Sequence, residues 1–169
     1  LANTGGIKLG TKFCLDQTRP GIGLYGIDSY GQNIRLLSKD LILPFELHAP
    51  IIQIRNVNIN QPISYNGIEK TKRNSTLATI GIGYADGWLR LLKPNSHFWL
   101  YKKRCNILGN ITMDSFVLDI TDIKDKVFTE GDYFCLLDNS NISSIIKNSE
   151  LISYELLTLL GSRLVREYN

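Results

Sequence analysis

The chain has 169 residues, with 19 Lys plus Arg against 16 Asp plus Glu, a net charge of +3 and a hydrophobic fraction of 43%. That length suits one ordinary domain, or a smaller domain with a piece of another attached, and that apolar content excludes a disordered chain. Basic residues cluster only at Lys70-Thr71-Lys72-Arg73 and Lys102-Lys103-Arg104, which reads as solvated loop or edge-strand faces and argues against a nucleic-acid partner.

The opening Leu1-Ala2-Asn3-Thr4 lacks the charged and apolar regions of a signal peptide and reads as already inside a fold. Glycine marks two tight spots, Gly5-Gly6-Ile7 and Gly21-Ile22-Gly23. Phe13-Cys14-Leu15-Asp16 and Ile22-Gly23-Leu24-Tyr25 read as short buried segments with no room for a long helix. Ser29-Tyr30-Gly31-Gln32-Asn33 is a polar, turn-like linker.

From about residue 46 the pattern becomes that of strands. Glu46 to Arg55 alternates apolar and polar positions toward its end. Leu77 to Tyr84, His97 to Tyr101, Phe116 to Ile120 and Tyr133 to Leu137 are further strands, bounded by Gly87, Pro94-Asn95, Gly109 and Glu130-Gly131-Asp132. Short strands with frequent turns predict a small sandwich or barrel. Helices are expected over Ser143 to Asn148 and Ser153 to Arg163. In the second, Ser153 is the expected N-cap, Glu155 falls in the first turn, and Leu156, Leu157, Leu159 and Leu160 supply an apolar face.

Cys14, Cys105 and Cys135 show no CxxC spacing and read as reduced, mostly buried thiols of a cytoplasmic protein. His48 and His97 stand alone in the sequence, so no metal site is argued. No apolar run approaches the roughly 20 residues that cross a bilayer, so no membrane partner is expected.

Three blocks carry the chemistry. They are Thr18-Arg19-Pro20-Gly21-Ile22, Ile82-Gly83-Tyr84-Ala85-Asp86-Gly87-Trp88 and Gly109-Asn110-Ile111-Thr112-Met113-Asp114, with Ser64-Tyr65 between the first two. Taken singly, each has an ordinary reading: two glycine turns, a strand ending in a turn, and a methionine in a core. In this order and spacing they resemble the C-terminal half of alanine racemases, and the similarity runs essentially from end to end. The resemblance implies a mainly β C-terminal domain over residues 46–169, a small barrel or sandwich with short helices. Residues 1–45 would be the last two strand-loop units of a preceding α/β barrel that holds pyridoxal 5'-phosphate (PLP).

The resemblance also implies roles. Thr4 would donate its hydroxyl to the cofactor phosphate, with the Gly21 and Ile22 amides facing the same anion, as barrel loops commonly do. Arg19 would bond the pyridine nitrogen; a guanidinium only donates, so it would keep that nitrogen unprotonated and favour racemisation over transamination. Tyr65 matches the tyrosine that accepts the proton from L-alanine. A free tyrosine, with pKa about 10, needs positive charge or hydrogen bonds nearby to serve as a base. Tyr84 would restrict entry to the site, and Met113 would contact the substrate carboxylate region. Ser162 would reach the phosphate. Asn66-Gly67-Ile68, Asn110 and Thr112 depart from the usual family pattern.

Nothing in the sequence resembles the family's Val-Lys-Ala-Asn-Ala-Tyr-Gly-His-like motif, whose lysine holds PLP as a Schiff base; Lys39 lies in the polar stretch Ser38-Lys39-Asp40. The expectation is therefore a partial polypeptide, supplying D-alanine for peptidoglycan as a homodimer or with a separate N-terminal barrel half. It would be inactive without the lysine-bearing half. The alternatives are the C-terminal portion of a serine racemase and a β module that has lost catalysis and serves interaction.

Overall fold

The computed structural model describes residues 1–28, 41–67, 69–92, 97–147, 149 and 151–168, leaving aside the Lys147 side chain. The expected linker at Ser29 to Asn33, Lys39, Ile68, the Pro94-Asn95 turn and the helix end at Asn148 lie outside the described residues.

The chain opens with two short parallel strands, β1 (Ala2–Asn3) and β2 (Thr18–Arg19), in register Ala2 with Thr18 and Asn3 with Arg19. Between them come α1 (Thr4–Lys8) and a 3₁₀ turn at Thr11–Phe13; a second 3₁₀ turn, Ile22–Tyr25, follows β2. Ile22 is 3% exposed and joins the core, yet Phe13, Leu15, Leu24 and Tyr25 are all exposed. The expectation of buried segments here is thus corrected. Of the two 3₁₀ turns only the second buries a side chain, Ile22, and among the described residues no further layer covers their outer faces.

The remainder is mostly β. The strands are β3 (Leu47–Val57), β4 (Pro62–Ile63), β5 (Glu69–Lys70), β6 (Ser75–Ile80), β7 (His97–Leu100), β8 (Lys103–Leu108), β9 (Phe116–Asp119) and β10 (Tyr133–Leu137). Six of them form one antiparallel sheet in the order β10-β3-β6-β9-β8-β7; β4 and β5 pair apart as a small hairpin. In β3, Leu47, Ala49 and Ile51 are buried while His48 and Ile52 face out, the period of two that the sequence announced. A register shift between Ile51 and Gln53 follows Pro50, which has no amide to give to the ladder.

The sheet curls until its ends meet. Phe98 on edge strand β7 packs edge-to-face on Phe134 of the opposite edge strand β10, ring centres 5.1 Å apart. Trp88, 0% exposed, stacks on both Phe98 and Phe116 at 6.2 and 6.4 Å. Such rings bury large area and prefer these offset and T-shaped geometries. The result is a nearly closed, barrel-like sheet around one core, which resolves the sequence alternatives of barrel and sandwich.

Two helices, α2 (Ile142–Lys147) and α3 (Ser153–Leu159), pack on this core through Ile142, Ile145, Ile146 and Leu156. Ser153 is not the N-cap: Ile152 occupies that position, and the Glu155 carboxylate accepts the Ile152 amide at 2.9 Å. A carboxylate in the first turn satisfies an orphan N–H as well as a hydroxyl does. Among the described residues, no helix is long and apolar enough to cross a membrane.

Candidate active site

The predicted residues fall into two groups. The first lies where β1 and β2 end. Because the strands are parallel, the loops that leave them emerge on the same side. Asn3 caps α1, its Oδ1 accepting the Gly6 amide at 3.0 Å, and this fixes the backbone that carries Thr4. Thr4 Oγ1 then accepts two amides from the second loop, Gly21 at 3.0 Å and Gly23 at 3.3 Å. A hydroxyl that accepts twice still has its own O–H to donate. A Cβ on Gly23 would lie 2.8 Å from Thr4 Cγ2, so glycine there allows the approach; beside Gly21 nothing lies within 4 Å. Ile22 anchors the loop in the core, and Arg19 stands exposed at the end of β2.

The second group is built around the segment from Gly109 to Asp114. Tyr65 sits on a 3₁₀ turn between β4 and β5, 73% exposed. Its neighbours Ser64, Asn66 and Gly67 all have positive φ, at 63°, 62° and 55°. Asparagine and glycine tolerate that region, which gives a local reason for the Asn66-Gly67 departure from the family pattern. The turn is held from below by Ile63, 1% exposed, and by Ser64 Oγ, which donates to the Asn110 carbonyl at 3.4 Å. The Gly109 amide donates to Glu69 Oε2 at 2.7 Å, closing the hairpin onto the same segment.

Tyr84 was expected to end a strand. It instead opens a 3₁₀ turn, Tyr84–Asp86, and is 41% exposed. The Tyr84 amide donates to the Thr112 carbonyl and the Ala85 amide to the Met113 carbonyl, both at 3.0 Å. Met113 likewise lies in a bend outside the strands, 51% exposed, so the core reading of this methionine does not hold. Its backbone is what pairs; its side chain is left outward. Tyr65, Tyr84 and Met113 are thereby tied to one loop.

Sequence reasoning passed over the group that locks this loop. Asp86, 7% exposed, accepts the Gly83 amide at 2.9 Å and pairs with Arg163 Nε at 3.1 Å. Arg163 also reaches Asp114 at 2.7 Å. Asp114 first, and then Asp86, hold the Arg163 guanidinium above its ordinary pKa. Asp86-Gly87 had looked only like a turn, and no local signal links residue 86 to 163. Ser162 is exposed beside Arg163, and the Gly161 amide donates to the Asp86 carbonyl at 3.3 Å, so its neighbours belong to this second group.

All three cysteines are free. Burial pushes the Cys105 thiol up to about 12; burial, with Asp138 and Glu46 nearby, pushes Cys135 up to about 11. Neither is a ready nucleophile.

Comparison with known proteins places this geometry. The family model for the alanine racemase C-terminal domain matches residues 44–168. The alanine racemase of Rickettsia rickettsii is 36% identical over 172 residues, covering 99% of this chain and 45% of the relative. That of Brucella ovis is 34% identical over 178 residues, with the same coverage of 99% and 45%. The crystal structure of Bartonella henselae alanine racemase with covalently bound pyridoxal phosphate superposes with a TM-score of 0.79 at 38% identity, covering 99% of this chain and 46% of that one. The Clostridium difficile 630 alanine racemase in complex with cycloserine gives 0.81 at 29% identity, covering 96% and 43%. The chain thus spans a little under half the length of the relatives it matches, and it belongs to the alanine racemase family, as the C-terminal part.

Proposed function

We propose that this chain supplies the proton-transfer tyrosine, the substrate gate and part of the phosphate cradle of an enzyme that interconverts L- and D-alanine. The carrying observation is the exposed Tyr65, held on a tight turn whose support is shared with Tyr84 and Met113 through the Gly109-to-Asp114 segment. Residues 1–45 are read as the end of a PLP-binding barrel. Their two-residue parallel strands and exposed Leu15 and Leu24 fit that reading, because parallel sheets are normally covered on both faces.

The donors of the first group fit a phosphate-bearing cofactor. The Thr4 O–H, the loop amides around Gly21 and Ile22, and the Arg19 guanidinium are all donors, and the open space beside Gly21 admits an anion. When bound, PLP withdraws electrons from the substrate Cα and makes its proton removable. Thr4 and the Gly21-Ile22 backbone would hold the phosphate, and Arg19 would hold the pyridine nitrogen unprotonated. Tyr65 takes the Cα proton of L-alanine on one face, onto its phenolic oxygen; a lysine from the other half of the protein serves the opposite face. Tyr84 and Met113 border the entry and restrict it to a small side chain. Ser162 is kept as a candidate phosphate donor. The product D-alanine serves peptidoglycan synthesis in the cytoplasm, and the assembled protein is a homodimer or pairs this chain with a lysine-bearing barrel half.

Mixing the chain with a lysine-bearing N-terminal half, PLP and L-alanine should yield D-alanine; none above controls would sink the reading. Thr4→Val tests the cradle separately. It removes the donor and strands two loop amides, so PLP affinity should fall about tenfold, the worth of one hydrogen bond of roughly 1.4 kcal/mol. Thr4→Ser should retain it, as read by fluorescence titration. Equal affinities for the two variants would remove Thr4 from the cofactor site.

A further inference from the structure

On the outer face of the sheet the fold assembles donors that the sequence keeps far apart. His48 on β3 and Cys135 on β10 are directly opposite each other in the antiparallel ladder. Glu46 precedes His48 by two residues, and its Oε2 lies 2.8 Å from His48 Nε2. One ligand atom from each of Glu46, His48 and Cys135 lies within 4.8 Å of the other two. Asp138 adds a fourth donor: its Oδ2 is 3.8 Å from Cys135 Sγ. Its other oxygen, Oδ1, accepts from Ser140 N and Oγ at 2.8 and 2.6 Å and from Asn141 N at 3.0 Å, which fixes the carboxylate at the start of α2.

From this arrangement we propose that Glu46, His48, Cys135 and Asp138 form a binding site for a zinc-like divalent transition metal. One sulfur, one imidazole nitrogen and two carboxylate oxygens suit that class, whereas calcium and magnesium want oxygen alone. Zinc bond lengths of 2.0 to 2.3 Å in a tetrahedron put ligand atoms about 3.3 to 3.6 Å apart. Glu46, His48 and Cys135 already lie within 4.8 Å of one another and need shifts of only about an ångström, and Asp138 Oδ2, 3.8 Å from the Cys135 sulfur, stands on the thiol side to complete the set. The Cys135 thiol proton leaves to solvent as the Zn–S bond forms. His48 binds through the Nε2 lone pair with its proton on Nδ1, so its hydrogen bond to Glu46 is exchanged for two bonds to the metal. The site would staple edge strand β10 to β3 where the chain enters the barrel-like sheet, and so would tie stability to metal concentration.

Cobalt(II) chloride is the probe, because a thiolate ligand gives it a charge-transfer band in the near ultraviolet. The purified chain should bind one cobalt with that band, release it to one equivalent of zinc, and melt at a temperature that rises with zinc. Cys135→Ser should abolish the band, and Cys14→Ser should leave it intact. His48→Gln and Glu46→Gln, at exposed positions, should each weaken binding at least tenfold with an unchanged circular dichroism spectrum, which keeps the test alive if Cys135→Ser misfolds. A folded chain without a thiolate band, a band that survives Cys135→Ser, or undiminished affinity in His48→Gln would overturn the site.

Discussion

Tyr65→Phe, assayed in the chain joined to its lysine-bearing half, should lower racemisation about 10²- to 10⁴-fold, the span that one positioned acid–base group contributes. The two directions must fall together, because enantiomers have equal free energy and a catalyst cannot move their equilibrium. Stability should hardly change. Tyr65 is 73% exposed, and surface substitutions usually stay within about 0.5 kcal/mol. A sharper sign separates Tyr65 from a residue that merely shapes the pocket. The opposite face keeps its own base, so D-alanine in heavy water should still exchange its Cα proton while inversion is lost. Retained racemisation in the variant, or exchange lost in step with racemisation, would deny Tyr65 the proton-transfer role.

The second large effect is expected at Gly83, in the Ile82-to-Trp88 block. Gly83 has φ −147° and ψ −163°, an extended backbone that any residue adopts. Alanine is excluded there by contact alone: its Cβ would lie 2.3 Å from the Thr112 carbonyl oxygen and 2.4 Å from the Met113 carbonyl carbon and oxygen. All three are backbone atoms, so no side chain can rotate away. Gly83→Ala must therefore push the Tyr84 turn off the Met113 loop, breaking the paired bonds at 3.0 Å and disturbing the amide bond to Asp86. A loss of about 2–4 kcal/mol is expected from the overpacking and the stranded polar groups. It should appear as a lower urea midpoint at unchanged slope. Gly161→Ala is the control, since its nearest atoms are 3.9 Å away, and it should cost less than about 1 kcal/mol. Equal midpoints for the two variants would show that the loops do not depend on this approach.

Much of the β architecture was legible because burial writes a period of two into a strand. Tyr133–Leu137 appears with its expected bounds, and β3, β7 and β9 differ from expectation only at their ends. β8 was missed: Lys103 and Arg104 made it look like a solvated basic cluster, yet buried Cys105 and Ile107 alternate with exposed Arg104 and Asn106. Tyr84 was drawn into a strand because Leu77 to Ile82 is continuously strand-like, and the 3₁₀ turn depends on carbonyls supplied by residues 112 and 113. The helix after Ser153 ends at Leu159 rather than Arg163, since the backbone turns extended at Leu160, with ψ 102°, and the Gly161 amide donates to the Asp86 carbonyl instead of back into the helix.

By itself the sequence determined the strand-rich composition, the order of the family blocks and the absence of a recognisable PLP lysine motif. These are local facts, set by residue type and by spacing along the chain. Only the tertiary structure decided which distant residues meet. It closed the sheet through Phe98 and Phe134, joined Asp86 to Arg163, and placed His48 opposite Cys135. The physical reason is that strand register and loop closure are fixed by the packing of the whole core. Two residues 87 positions apart leave no trace in the sequence that they share one rung of a ladder.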